Sequence, residues 1–163
     1  MTGLEIADAM IARARTALAD EDEATRARVT LRKGNVLTEP WGEDYDVVIL
    51  GGNCLYELPS PERQEECIRR AALALRKEGY LFVDTNEGSG HGTSRSEIGW
   101  EWRSLCGTTK DQVRLQGSAR VVDVDDKGAM HFIRTWVTED PDGKVHTQES
   151  LATKYCVSGE EVE

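Results

Sequence analysis

The sequence predicts an α/β fold in which a parallel sheet is followed by an antiparallel β meander. Apolar runs at residues 47–50 and 80–83 flank a helical stretch, an order that is typical of a strand–helix–strand unit with parallel strands. Alternating apolar and polar segments after residue 118 are separated by two turns rich in Asp and Gly, which indicates antiparallel hairpins. A length of 163 residues suits one ordinary domain and leaves little room for a second.

The first part of the chain predicts a short strand, a helix and a second strand. Residues 2–6 are apolar enough for a strand, and from Asp8 onward apolar residues recur at spacings of three and four, which predicts a helix. The acidic run at residues 20–23 is expected to end that helix in solvent. Residues 29–31 alternate with charged neighbours and predict a strand that closes at Gly34.

The strand–helix–strand unit comes next. The β-branched run after Asp46 is of the kind that a parallel sheet buries on both faces. Ser60 is a favourable N-cap and Pro61 a favourable first helical residue, so a helix is predicted to begin there. Gly79 is expected as its left-handed C-cap after a basic last turn, and the following strand covers residues 80–83.

The character of the sequence changes after this unit. A glycine-rich stretch at residues 88–92 leads to a segment that carries Trp100 and Trp102. Three strands of a meander are predicted beyond it, at residues 119–124, 130–137 and 145–155.

Composition excludes several classes of function. The chain has 20 basic and 30 acidic residues, so its net charge of −10 repels nucleic acid and anionic membrane surfaces, and neither is expected as a partner. No stretch approaches the length of a membrane helix, and no export signal is seen at the start. The four cysteines form no C-x-x-C pair, which favours free thiols in a reducing cytoplasm and no metal site.

An acid, an amide or bare glycine backbone lies at the end of each predicted parallel strand. Glu5 ends the first, Asn35 and Val36 follow the second, glycines follow the third at residues 51–52, and Asp84 ends the fourth. Because ligands of open α/β sheets bind at the carboxyl ends of the strands, this edge predicts a nucleoside-like ligand.

Four segments in this order resemble class I S-adenosylmethionine-dependent methyltransferases. They are GLEIADAMIARAR at 3–15, GNVL at 34–37, YDVVILGGN at 45–53 and LRKEGYLF at 75–82. The resemblance covers about residues 2–86, and the later meander is similar to the small-molecule branch that includes glycine and sarcosine N-methyltransferases. It implies a Rossmann-like three-layer αβα parallel sheet with an appended meander, S-adenosylmethionine as cofactor, and a small-molecule acceptor.

The resemblance also implies which residues hold the cofactor. Glu5 would accept the ribose hydroxyls, and the side chains of Ile6 and Met10 would pack near the adenine. The family has Asp where this chain has Asn35, so the amide oxygen would take over the bond to the adenine amine. The positions implied at the adenine edge and the methionine end are Asn35, Val36, Gly51, Gly52 and Asn53.

The acceptor side is expected in the second half of the chain. An amine or hydroxyl acceptor must lose a proton, and the candidates to receive it are Tyr56, Glu57, Asp84 and His91, with Tyr56 and His91 as catalytic candidates. The acceptor pocket is expected to involve Tyr56, Asn86, Trp100 and Trp102, although the two tryptophans can equally anchor the insertion on the core.

On this interpretation the chain divides into three parts. Residues 1–87 form a partial cofactor-binding core, residues 88–156 an acceptor-side insertion, and residues 157–163 the start of a truncated C-terminal helix. The family's first strand and its G-x-G-x-G loop have no counterpart, so the fold is expected to be incomplete and the chain a fragment with little activity of its own.

Two other function classes stay open on the sequence. A nicotinamide dehydrogenase also holds ribose with an acid after its second strand. A non-catalytic interaction domain could keep the same fold without the chemistry.

Overall fold

The computed structural model of the protein describes residues 1–58, 60–84 and 98–155, without the side chains of residues 104 and 105. Asn86 and His91, and the predicted helix at 157–163, lie outside the described residues. The helices and strands in chain order are β1 (Thr2–Glu5), α1 (Asp8–Ala19), α2 (Glu23–Ala27), β2 (Thr30–Lys33), β3 (Tyr45–Leu50), α3 (Pro61–Ala74), β4 (Leu75–Val83), β5 (Glu101–Thr108), β6 (Arg114–Val124), β7 (Met130–Glu139) and β8 (Val145–Lys154). No helix among these is long and apolar enough to cross a membrane.

The described strands form three sheets where the sequence predicted one parallel sheet with a meander. β1 pairs with β2 in parallel, from Thr2 opposite Thr30 to Glu5 opposite Lys33. β3 pairs with β4, and β5, β6, β7 and β8 form a four-stranded antiparallel sheet in that order. No described strand joins the β1–β2 pair to the β3–β4 pair, so a single continuous parallel sheet is not confirmed among the described residues.

Strands β3 and β4 run in the same direction, as the sequence predicted. A Cβ on Gly79 would lie 3.0 Å from the carbonyl oxygen of Tyr45, at the start of β3. After the end of β3, the Gly52 N–H donates to the carboxylate of Asp84, which follows β4. The contact of residue 45 with residue 79 and that of residue 52 with residue 84 follow the same order along both strands, as parallel strands require.

The chain divides into two compact units. The first consists of residues 1–50 and 65–82, and its buried apolar residues include Ile11, Val48, Leu50, Cys67 and Ala71. The second consists of residues 51–64 together with the described residues from 83 onward. Residues 51–64 are thus grouped with the antiparallel sheet, while the division at residue 87 stays a prediction from the sequence.

One face of the β3–β4 pair is exposed, contrary to the prediction that this β-branched run is buried on both faces. Val47 and Ile49 are 50% and 66% exposed, while Val48 and Leu50 are buried. Tyr80 and Phe82 on β4 are also exposed. Alternation along a strand places successive side chains on opposite faces, so only one face of the pair is buried by described residues.

Local signals predicted some helix ends correctly and missed others. α3 begins at Pro61 as predicted, but it ends at Ala74, and Leu75 already belongs to β4. The left-handed residue is Glu78, with φ of 65°, and not the expected Gly79. The acidic run also does more than end α1, because Asp22 caps α2 by accepting hydrogen bonds from the N–H and hydroxyl of Thr25.

The core of the second unit lies on one face of the antiparallel sheet. Ala119, Val121 and Val124 of β6 and Met130 and Phe132 of β7 form its buried cluster. Trp100, Trp102 and Ala152 pack against that cluster. On this aromatic face, the ring of Trp102 meets that of Phe132, and Trp100 stacks on Trp102.

A buried glutamine ties residues 51–58 to the end of the sheet. Gln64 is 3% exposed, and its Nε2 donates hydrogen bonds to the carbonyl of Leu55 at 2.9 Å and to that of Tyr155 at 2.8 Å. The Tyr155 N–H in turn donates to the carbonyl of Tyr56 at 3.1 Å. The segment is thus held through its main chain.

Replacing Gln64 by Leu is expected to destabilise the second unit by about 2 kcal/mol or more, since two carbonyls lose their donor and a buried group left without a partner costs about 1–3 kcal/mol. Urea unfolding monitored by tryptophan fluorescence measures the change. Arg63→Leu, an exposed neighbour on the same helix, is the control and should change the free energy of unfolding by less than about 0.5 kcal/mol. Equal changes in the two variants would contradict this role for Gln64.

The hairpin between β6 and β7 predicts a pH-dependent contribution to stability. The N–H groups of Ala129 and Lys127 donate to the Asp125 carboxylate and, with His131 nearby, hold the pKa of Asp125 below its ordinary value of 3.8. A lowered pKa in the folded state stabilises the fold above the ordinary value, and this contribution is lost as the pH falls through the folded pKa. Asp125→Ala should therefore reduce stability at pH 7, and its difference from the wild type should shrink as the pH falls below 3.8.

Denaturant unfolding between pH 7 and pH 2.5 measures that difference. Asp111→Ala, at an exposed position, is the control for loss of a carboxylate. A difference between wild type and Asp125→Ala that stays constant over this range would rule out the linkage.

Candidate functional site

In the first unit, the ends of β1 and β2 bring together the residues expected at the nucleoside. Glu5 lies opposite Lys33, the last residue of β2, and the Gly34 N–H donates to the Glu5 carbonyl at 2.9 Å. Asn35 and Val36 follow directly, so the acid and the amide lie at the same end of one parallel pair.

The Glu5 carboxylate has one oxygen engaged locally. Its Oε1 accepts the N–H of Ala7 at 2.8 Å, just before α1 begins. Oε2 makes no hydrogen bond to any residue that the structure describes. Glu5 is thus oriented by the chain that follows it while one carboxylate oxygen stays available for a hydroxyl donor.

The structure places Ile6 and Met10 on the surface of the first unit. Their exposed fractions are 61% and 52%. Met10 is therefore not the plain core methionine that a helical apolar stripe usually means. Two exposed apolar side chains next to Glu5 are suited to pack against the flat face of a base.

Asn35 is less free than the sequence suggested. Its Oδ1 accepts the N–H of Leu37 at 2.9 Å, and its carbonyl accepts the N–H groups of Thr38 and Glu39. The side-chain oxygen that was expected to accept a bond from an adenine amine is thus part of a turn. What Asn35 offers outward is its side-chain NH₂ group, which is a donor.

In the second unit, the segment after β3 makes a turn with two left-handed residues in succession. Gly52 has φ of 66° and Asn53 has φ of 60°, a conformation that Gly and Asn adopt more readily than other residues. A Cβ on Gly52 would meet nothing within 4 Å. The turn is closed from the side by the Gly52 N–H, which donates to Asp84 Oδ2 at 3.1 Å.

A chain of ring and charge contacts extends across the aromatic face of the second unit. Trp100 and Trp102 are stacked with ring centroids 4.7 Å apart, and Trp102 meets Phe132 at 5.6 Å. The Arg134 guanidinium lies over the Phe132 ring at 5.1 Å and donates from Nη2 to Glu57 Oε1 at 2.8 Å. The sequence suggested Glu57 as one of four candidate proton acceptors and gave no signal for Arg134. Their contact joins residues 77 positions apart.

The described residues that were expected on the acceptor side differ in how deeply they are buried. Tyr56 is buried, with 4% of its surface exposed, and Trp100 and Trp102 are half-buried against the core. No group of three or more His, Cys, Asp or Glu among the described residues is arranged to hold a metal ion.

Comparison with solved structures shows the class I methyltransferase fold. DesVI from Streptomyces venezuelae matches with a TM-score of 0.74 at 16% identity, over 99% of this chain and 61% of that one. CalS10, an amino pentose methyltransferase from Micromonospora echinaspora with bound S-adenosylmethionine, matches with a TM-score of 0.66 at 18% identity, over 98% of this chain and 61% of that one. KedS8, a sugar N-methyltransferase from Streptoalloteichus sp. ATCC 53650, matches with a TM-score of 0.70 at 15% identity, over 99% of this chain and 58% of that one.

The chain therefore spans about three fifths of the length of these structures. No family model and no curated protein matches the sequence. At these identities the likeness establishes the fold, and it confirms the α/β, Rossmann-like class that the sequence predicted.

The left-handed turn after β3 yields a test with an internal control. Gly52→Ala should destabilise the chain by about 1–2 kcal/mol through backbone strain alone, since its new Cβ would meet nothing within 4 Å. Gly107→Ala is the matched control, because a Cβ there also meets nothing but Gly107 has no left-handed φ. Denaturant unfolding should show a loss for Gly52→Ala only, and similar values for both would contradict the strained turn.

Proposed function

We propose that this chain acts in S-adenosylmethionine-dependent methyl transfer to a small-molecule amine. The observation that carries the proposal is the methyltransferase fold, with Glu5 and Asn35 at one end of its β1–β2 pair. Support for an amine comes from the matched structures, which include an amino pentose methyltransferase and a sugar N-methyltransferase. The nicotinamide alternative has no such support.

The residues present fit the cofactor chemically. Glu5 offers a carboxylate oxygen to the ribose hydroxyls, and exposed Ile6 and Met10 offer apolar surface to the adenine. Asn35 would donate its NH₂ to an acceptor nitrogen of the ring. Gly51, Gly52 and Asn53 would contact the methionine end, and open space beside Gly52 suits a close approach to the main chain.

When bound, S-adenosylmethionine supplies an activated methyl group on a positively charged sulfur. Displacement of that group needs alignment of the acceptor and exclusion of water more than covalent help from the protein. This chain would therefore bind and orient the cofactor and the acceptor and shield them from water. The segment at 51–57 suits that role because hydrogen bonds to Asp84, Gln64, Tyr155 and Arg134 hold it.

The acceptor side is proposed on the aromatic face. Trp100 and Trp102 contribute ring surface there, and Glu57 contributes charge. Tyr56 would act through its main chain and its buried ring, since little of it is exposed. Asn86 and His91 stay predictions from the sequence.

Glu5→Gln tests the cofactor assignment. The amide can still accept the Ala7 N–H, but it cannot give the ribose a charged acceptor, and a hydrogen bond to a charged group contributes about 1.5–3 kcal/mol. Titration calorimetry should show affinity for S-adenosylhomocysteine lowered about 10- to 100-fold. Glu21→Gln, the same substitution at an exposed position after α1, is the control and should leave that affinity unchanged. An unchanged dissociation constant for Glu5→Gln would refute the role of Glu5.

A further inference from the structure

Glu57 is the described acid that combines an anchored carboxylate with access from solvent on the acceptor side. Its side chain is 46% exposed, and Oε1 is fixed by Arg134 Nη2 at 2.8 Å. Oε2 makes no hydrogen bond to a described residue. The other described candidates differ, because Tyr56 is buried and the Asp84 carboxylate holds the Gly52 N–H.

Arg134 is itself held in place, so the carboxylate is oriented by a fixed partner. The guanidinium lies over the Phe132 ring, which is 1% exposed and belongs to the core of the second unit. A cation within about 6 Å of a ring centroid is attracted by the ring electrons. The contact of Arg134 with Phe132 and its hydrogen bond to Glu57 therefore fix one carboxylate oxygen of Glu57. The other oxygen is left as an acceptor site.

We propose that Glu57 Oε2 binds the amino group of the acceptor and so selects amines over hydroxyl compounds of the same shape. This inference rests on the proposed function. A carboxylate only accepts hydrogen bonds, and an ammonium adds to its hydrogen bond the attraction of a full positive charge. A hydroxyl in the same place would donate a single bond without charge.

The main-chain anchors give the site its precision. Glu57 follows Leu55 and Tyr56, whose carbonyls accept hydrogen bonds from Gln64 and from the Tyr155 N–H. Glu57, which would bind the amine, thus belongs to the same anchored segment of the second unit as the turn at Gly52. Glu57 is, on this proposal, a specificity-determining residue.

The experiment compares two probes, glucosamine and glucose, which share a ring and differ in one amino group. Titrations at pH 7 use the chain saturated with S-adenosylhomocysteine. Wild type should bind glucosamine about tenfold or more tightly than glucose. Glu57→Gln, whose amide oxygen can still accept from Arg134, should reduce that ratio to about one, with affinity for S-adenosylhomocysteine unchanged.

Two controls separate this result from general effects. Glu101→Gln removes an exposed charge from the edge strand β5 of the same sheet, and it should keep the preference for glucosamine. Thermal unfolding should show the same midpoint for Glu57→Gln and wild type within about 2 °C, which excludes a folding defect. A wild type without the preference, or a Glu57→Gln variant that keeps it, would overturn the proposal.

Failure of the proposed function would look different. In that case S-adenosylhomocysteine does not bind, and the same two probes are titrated against the chain alone. A preference for glucosamine that Glu57→Gln abolishes would then support the amine site without the cofactor. Its absence, or its survival in Glu57→Gln, would again overturn the amine site.

Discussion

The second unit depends on the two hydrogen bonds that the Gln64 side chain donates from its buried amide nitrogen. Their acceptors are the main-chain carbonyls of Leu55 and Tyr155, so they fix the backbone whatever side chains surround it. A buried amide is stable only when its polar groups are paired, and both hydrogens of Nε2 have acceptors here. Residues 51–58 are consequently held by Gln64 and by Tyr155, which directly follows β8.

Sequence patterns predicted elements whose causes are local. The periodicity of α1, the start of α3 at Pro61 and the turns at residues 125–128 and 140–143 all depend on neighbours in the chain. The elements that the sequence did not predict lie in segments whose local signals were ambiguous. The acidic run contained an N-cap, Asp22, that starts α2, and a segment with two tryptophans gave no clear alternation for β5.

At residue 79 a structural need for glycine was predicted correctly, but its predicted cause, a helix C-cap, was wrong. Glycine after a helical pattern favours a left-handed C-cap, but here Glu78 has the positive φ. Gly79 is instead beside β3, where a Cβ would lie 3.0 Å from the Tyr45 carbonyl oxygen. Close approach of two strands, which a sequence does not reveal, gives this glycine its role.

The candidate site divides in the same way between local and long-range causes. The proximity of Glu5 and Asn35 could be predicted because parallel strands end at one edge and these residues lie at or just after the strand ends, whereas their role stays a prediction. The use of the Asn35 oxygen by Leu37 was hidden, although an Asn at a strand end commonly closes a turn of this kind. The pair of Glu57 and Arg134 could not be predicted, since it depends on how the loop after β3 meets strand β7.

Strain and anchoring are balanced within residues 51–57. Two successive left-handed residues raise the free energy of the turn, Asn53 more than Gly52, since a Cβ disfavours this region by about 1–2 kcal/mol. Bonds to Asp84, Gln64 and Tyr155 each return about 0.5–1.5 kcal/mol, and the ion pair of Glu57 with Arg134 adds a further constraint. The hydrogen bonds and the ion pair together outweigh the strain of the two left-handed residues. Strained backbone persists only where surrounding contacts fix it in this way. A segment fixed in this way keeps both a main-chain surface at Gly52 and a carboxylate oxygen at Glu57 in constant positions, and methyl transfer requires such fixed alignment more than it requires mobile acid–base groups.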